Sequence, residues 1–159
     1  MNKLSITERA YIAGIIDGEG TIGLTKHKER RTLRGWNYEP YIMVSNTSKS
    51  IMEYLKEVTG IGYYWSKTYK NMNRGWKVPF AWQTGARREI ISLLEQILPY
   101  LVIKKRHAVL LLEYVKMRED QEKERIAFMK GMQIKYSKHH DEIFEKLREL
   151  NRRGRKRKC

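Results

Sequence analysis

Ile12-Ala13-Gly14-Ile15-Ile16-Asp17-Gly18-Glu19-Gly20 is the stretch on which the reading of this chain turns. At about 100° per residue, Ile12, Ile15 and Ile16 project from one side of a helix, as an ordinary core contact does. Ala10, Ala13, Gly14 and Asp17 cluster on the opposite side. A glycine at position 14 costs a helix roughly 1 kcal/mol relative to alanine and buries almost nothing. That loss makes sense where a second backbone must come very close. A helix packed on its own copy would bring two C-terminal ends side by side, each carrying Glu19. Paired carboxylates at a twofold axis suit hard divalent cations, which stabilise the attacking and leaving oxygens of a phosphodiester. Gly18, having no side chain, leaves its carbonyl open to such an ion. On these residues alone a second reading stays open: a helix stop with incidental acids, Gly18 and Gly20 serving only the turn.

Working outward, Ser5 and Glu8 have capping-box spacing and open a helix expected to reach about Asp17. A strand follows from Thr21, with Ile22 and Leu24 on one face and Gly23, Thr25 and His27 on the other. Residues 28–35 form a charged turn, and a second strand is expected over 38–46. Thr47 or Ser48 caps a helix over 49–59. Residues 61–69 are a third strand, and 71–75 a turn. In the fourth strand Trp76, Val78, Phe80 and Trp82 share one face, Lys77, Pro79, Ala81 and Gln83 the other. Ile90, Leu94 and Ile97 then mark a helix that stops before Pro99. Residues 104–119 form one amphipathic helix, a polar span follows, and 140–150 form another, with His139 and His140 placed on the surface. The order predicts an α+β class, with an αββαββα core, an antiparallel sheet and additional C-terminal helices. Residues 1–151 make a single domain and 152–159 a basic tail.

Composition narrows the function. A chain of 159 residues with 41% hydrophobic residues can bury one core and is not a disordered tract. The longest apolar runs are far too short to span a bilayer, so no membrane is expected. Residues 12–16 are also too brief for a secretory leader. Cys159, the single cysteine, allows no intrachain disulfide and no cysteine zinc site, which suits an intracellular compartment, cytoplasmic or organellar. Lys and Arg number 33 against 18 Asp and Glu, a net charge of +15 and a pI near 9.9. That balance attracts polyanions such as nucleic acid, though a solubility surface would also carry it.

The nine residues from Ile12 to Gly20 closely resemble the LAGLIDADG motif of homing endonucleases, with conservative departures. The resemblance continues through Val44-Ser45-Asn46 ahead of a helix, Gly60-Ile61-Gly62-Tyr63 opening a second hairpin, and Leu98-Pro99-Tyr100-Leu101-Val102-Ile103-Lys104 ahead of the later helices. It covers roughly the first three-quarters of the chain and is similar in element order to the single-motif branch. The resemblance implies a metal-dependent DNA endonuclease with antiparallel strands lying along the major groove. It also implies motif helices at a homodimer interface, formed here by Ala10, Ala13, Gly14 and Asp17, and a near-palindromic double-stranded target, intron- or intein-associated. The metal-binding acid of the family falls on Glu19, assisted by the Gly18 carbonyl. The ion would be Mg²⁺ or Mn²⁺, with Ca²⁺ as a non-catalytic substitute. Asp17 takes a structural place at the helix end. Lys104 matches a lysine that stabilises transition-state charge or adjusts the attacking water, and Asn46 a polar residue that organises water. Where a basic residue often follows a turn later, this chain has Ser50, with Lys49 beside it.

Strands that enter a major groove turn polar residues toward the bases. Thr25, His27, Tyr41, Trp65, Lys67, Tyr69, Lys77 and Gln83 are the expected DNA-facing set, and Arg30, Arg31, Arg34 and Arg74, near hairpin tips, the phosphate holders. An RNA maturase, engaging intron RNA, and a non-cleaving DNA-binding regulator are the alternatives on the same scaffold.

Overall fold

The computed structural model describes residues 1–29, 35–67, 75–128 and 137–152, with only the backbone of 125–128. Arg30, Arg31, Arg34, Tyr69, Arg74 and residues 153–159 lie outside the described residues.

Helix α1 spans Ile6–Glu19 and starts as its capping box requires: the Ser5 hydroxyl accepts from Glu8 N while the Glu8 carboxylate accepts from Ser5 N at 2.7 Å. It ends two residues later than the sequence suggests. Asp17, Gly18 and Glu19 stay helical, and strand β1, Gly20–Lys28, begins at the next residue. This direct turn depends on Gly20, whose N–H donates to the Ile16 carbonyl. A Cβ at Gly20 would lie 2.6 Å from that carbonyl oxygen and 2.9 Å from Ile16 Cα, both rigid backbone.

Strand β2 spans Trp36–Asn46, helix α2 Lys49–Thr59, strand β3 Tyr63–Ser66 and strand β4 Phe80–Thr84. The sheet is antiparallel in the order β1-β2-β4-β3. Helix α3, Arg87–Ile97, passes through a 3-10 turn, Leu98–Tyr100, to helices α4, Lys105–Phe128, and α5, Lys138–Leu150. The chain is thus α+β, with the expected element order and two C-terminal helices added. No helix among the described residues is long and apolar enough to cross a membrane.

One face of the sheet makes the core. Ile22, Leu24, Tyr38, Ile42, Val44 and Trp82 point into it and meet Ile12 and Ile16 of α1, Met52 and Leu55 of α2, and the apolar sides of α3, α4 and α5. Each fully buried isoleucine or leucine contributes about 1.5–3 kcal/mol, so this layer supplies the main cohesion. Residues of opposite parity stand on the other face, where Thr25, His27, Glu39 and Tyr63 are exposed.

Four expectations need correction. The fourth strand starts at Phe80, not Trp76, because Pro79 has no N–H to continue the ladder; its carbonyl accepts from Lys67 N at 2.7 Å, and Trp76 is 67% exposed. Lys77 is therefore not on a strand. Strand β3 is shorter than the expected 61–69, since Gly60 ends α2 at a φ of 69° and Gly62, at 67°, keeps the first residues of that span out of the strand. Helix α4 runs on to Phe128 through the polar span, whose Glu, Lys and Gln are good helix formers linked by pairs such as Lys123 to Asp120 at 3.0 Å. His140 is fully buried, its Nδ1 accepting from Ser137 N at 3.0 Å and its ring edge-on to Tyr114. Burial, with Arg118 nearby, pushes its pKa down. His139 does lie outside, 2.7 Å from Glu113.

Replacing Gly20 by alanine should cost about 1–3 kcal/mol, as overpacking against fixed atoms does. Denaturant unfolding of Gly20→Ala reads this directly, and an unchanged midpoint would mean the α1–β1 turn tolerates a side chain.

Candidate active site

The three motif glycines divide sharply. Gly20 is demanded by the chain's own fold, whereas a Cβ on Gly14 or Gly18 would meet nothing within 4 Å among the described residues. Both are exposed, as is Ala10, so these three residues form a single stripe at four-residue spacing. Ala13 does not belong to it. It is fully buried among Leu4, Ile12 and Ile16, because the core side of α1 is wider than its isoleucines suggest.

Asp17 also turns inward, toward the segment between the 3-10 turn and α4. Its carboxylate accepts from Val102 N and Lys104 N, both at 2.8 Å. Burial raises the Asp17 pKa, but the Val102, Lys104 and Ile103 N–H groups and the Lys104 charge outweigh it and hold the carboxyl below its usual value. The structural place assigned to Asp17 thus becomes concrete: it fastens the end of α1 to the start of α4. Two side chains that sequence reasoning passed over are displayed by this clasp, Val102 at 83% and Ile103 at 70% exposure. The available signal was a pair of branched apolar residues just ahead of a basic helix start.

The clasp brings Lys104 to the motif. Its Nζ donates to the Asp17 carbonyl at 2.6 Å. The last carbonyls of any helix lack intrahelical donors and carry its negative pole, and α1 has no basic residue in its last turn. Gly20 N satisfies the Ile16 carbonyl and Lys104 the Asp17 carbonyl; the Gly18 carbonyl is next in line, and the exposed Glu19 carboxylate stands beside it. Hard oxygen donors at a helix C-terminus suit a divalent cation. Among the described residues no three His, Cys, Asp or Glu side chains gather into a group that could hold a metal ion.

Asn46 closes β2. Since Gly20 pairs with Val44, Asn46 lies two residues past the start of β1, at the sheet end where α1 terminates. Its Oδ1 accepts from Ser48 N at 2.9 Å, which caps the approach to α2 in place of a Thr47 or Ser48 side chain. Ser50 pairs with Ser48, and Lys49 with Glu53 at 2.7 Å.

From this end the polar face of the sheet runs outward. Thr25, His27, Tyr41, Trp65 and Gln83 all stand on it. Lys67, just past β3, reaches across to Ser45 Oγ at 2.8 Å, so it shares that face with β2. His27 pairs with Glu39 at 3.0 Å. Tyr41 lies over Gly23, its hydroxyl 3.0 Å from where a Cβ would be, and burial pushes its phenol pKa up, leaving the hydroxyl a donor. Tyr63, stacked on Trp65 at 5.3 Å, belongs to the same row and was missed because the strand register was not carried back far enough.

Solved structures share this fold. No protein-family model and no curated protein sequence matches the chain. The crystal structure of the homing endonuclease I-CvuI, in complex with DNA in the presence of magnesium, covers 93% of this chain and 97% of its own at 19% identity and a TM-score of 0.58. The archaeal intron-encoded homing endonuclease I-Vdi141I, complexed with DNA, covers 91% and 97% at 17% identity and a TM-score of 0.62. I-SmaMI, bound to an uncleaved DNA target with calcium ions, covers 94% of this chain but 45% of its own, at 18% identity and a TM-score of 0.64. The architecture is that of the LAGLIDADG homing endonucleases.

Asp17→Ala should remove the clasp and cost about 1–2 kcal/mol, the scale of a lost helix cap. The stabilisation that comes from its depressed pKa is present above the ordinary carboxylate pKa and lost as pH falls through the folded value, so the gap between wild type and variant should close on acidification. A gap that persists at low pH would locate the effect elsewhere.

Proposed function

We propose that this chain, built on the homing-endonuclease fold, is a site-specific double-strand DNA endonuclease that works as a homodimer with divalent metal ions and is associated with a mobile intron or intein. The supporting observation is the coincidence at the end of α1: an exposed acid and a glycine carbonyl at a helix pole, beside a lysine, where an uncovered polar sheet begins.

Among the described residues the stripe of Ala10, Gly14 and Gly18 is exposed, and each helical glycine costs about 1 kcal/mol. A second copy of α1 seated on that stripe accounts for it, and the exposed Val102 and Ile103 beside it would extend the apolar contact. Twofold packing of this kind sets the two Glu19 carboxylates next to each other and makes the preferred target near-palindromic. Glu19 and the Gly18 carbonyl of both protomers would then hold Mg²⁺ or Mn²⁺, with Ca²⁺ as a non-catalytic substitute. Such ions would supply Lewis-acid chemistry and charge neutralisation at the phosphate. Lys104 holds a positive charge where negative charge grows on the phosphate, and the Asn46 amide orients water at the sheet end.

The DNA lies along the open face. Its major groove is about 12 Å wide, and four strands at about 4.8 Å spacing span about 14 Å. Thr25, His27, Tyr41, Lys67 and Gln83 would meet base edges, with Trp65 and Tyr63 offering apolar surface to thymine methyls. Lys77, Tyr69 and the arginines at 30, 31, 34 and 74 would add cationic or polar contacts to the flanking phosphates. The protein would act inside the cell, in cytoplasm or organelle.

Incubation with a randomised duplex pool and Mg²⁺ should yield double-strand breaks with short 3′ overhangs at a small set of sites, and a chelator should abolish them. Glu19→Gln should retain duplex binding and lose at least about 100-fold in cutting rate. Binding without any cutting by the wild type would point to a regulator, preference for intron RNA to a maturase, and equal cutting by the variant would remove Glu19 from the chemistry.

A further inference from the structure

The open face of the sheet carries one group that a duplex would repel. All four strands turn their odd-numbered residues to that face, and among these described residues Glu39 is the one acid. Its Oε2 lies 3.0 Å from His27 Nε2, and the two side chains are 64% and 46% exposed. The contact is diagonal, since Glu39 stands opposite Thr25 and His27 opposite Asn37 in the β1–β2 ladder. Tyr38 fixes this register. It is buried on the opposite face, stacked on Phe144 and donating to Asp141 at 2.9 Å. Glu39 therefore cannot turn into the core unless the whole strand slips by one residue.

Exposed ion pairs on a sheet are common and contribute little by themselves. The surroundings set this one apart. The chain is strongly basic, at +15, yet this acid sits on the face that the duplex would cover. A carboxylate there meets phosphate repulsion and loses water, a cost that only a donor on the DNA offsets. The major groove offers two amines, cytosine N4 and adenine N6. Adenine sets its N7 acceptor beside the amine, which opposes a carboxylate, whereas cytosine shows the donor alone. His27 occupies Oε2, and among the described residues nothing else claims Oε1, which is left to accept from a base.

We propose that Glu39, held by His27, accepts from the N4 amine of a cytosine in each half of the target and so determines specificity at that base pair. The inference rests on the duplex endonuclease reading and adds a base identity to it. Thr25, opposite Glu39, is five residues along β1 from Gly20, where the sheet meets the motif helix. At about 3.4 Å per residue the acid stands about 17 Å out, about five base-pair steps from the end that carries Glu19. Glu39 touches the base, whereas His27 is a positioning residue that limits the rotation of the carboxylate.

The test uses the full chain in a Glu19→Gln background, so that bound duplex stays intact, with selection from a randomised duplex pool and sequencing of the bound fraction. Cytosine should be favoured about fivefold or more over each other base at one position in each half-site. Adding Glu39→Gln should abolish that preference and favour adenine there, because a glutamine amide pairs with adenine N6 and N7. Adding His27→Ala should shrink the cytosine preference about threefold without installing another base, the scale of a partly lost base contact. Both side chains are exposed, so far-ultraviolet circular dichroism and the unfolding midpoint should match the parent chain. A merely solvated acid gives a different result: Glu39→Gln would bind every sequence more tightly with all base preferences unmoved, which would overturn the assignment. A parent chain that favours a base other than cytosine at the position altered by Glu39→Gln would overturn it too. If the full chain binds no duplex at all, the endonuclease reading itself falls, a result distinct from duplex binding in which only the role of Glu39 is lost.

Discussion

Between Glu19 and the first residue of the sheet there is no slack. The Gly20 N–H closes the last turn of α1 on the Ile16 carbonyl, and Gly20 already pairs with Val44 of β2. A loop in this place would let the acid wander relative to the strands. A direct helix-to-strand turn fixes both in one rigid body, and only glycine fits, because the Ile16 backbone fills the volume of a Cβ. The Asp17 clasp extends the same body to α4 and carries Lys104 with it. Acid, lysine and polar face thereby share one frame, which positioning at about 0.5 Å requires.

Charge follows the same logic. The C-terminal pole of α1 is negative, contains Glu19 and receives the Lys104 ammonium. The remainder of the chain is strongly basic, at +15 overall. A polyanion is drawn to the protein as a whole, while the acidic pole would repel it unless cations intervene. That pairing of a basic body with an acidic focus is what phosphodiester hydrolysis assisted by divalent ions calls for.

Much of this was legible in the residues, for identifiable reasons. Ser5 and Glu8 announce the first helix because a capping box is local chemistry, and the alternation of Ile22, Leu24, Thr25 and His27 announces a half-buried strand because side chains alternate. What escaped depended on tertiary contacts. Ala13 is core and Gly14 is not, a distinction that a helical wheel of small residues cannot draw. His140 is interior because Tyr114 of α4 packs against its ring, while Ser137 at the start of its own helix holds Nδ1. Helix α4 outran its apolar stripe because isolated polar helix formers give no periodic signal. The Asn151 amide donates to the Ile22 carbonyl of β1 at 2.9 Å, a contact that no local pattern announces.

In the proposed dimer two copies of α1 meet along Ala10, Gly14 and Gly18 and bring the two Glu19 carboxylates together. Sedimentation equilibrium of the wild-type chain and of Gly14→Leu measures that contact. Because a Cβ at Gly14 meets nothing within 4 Å among the described residues, the leucine should leave the protomer folded. The wild type should sediment at twice 19.1 kDa and the variant as a folded monomer. A variant that remains dimeric with unchanged affinity would contradict the account, since the glycine stripe would then lie outside the contact between copies.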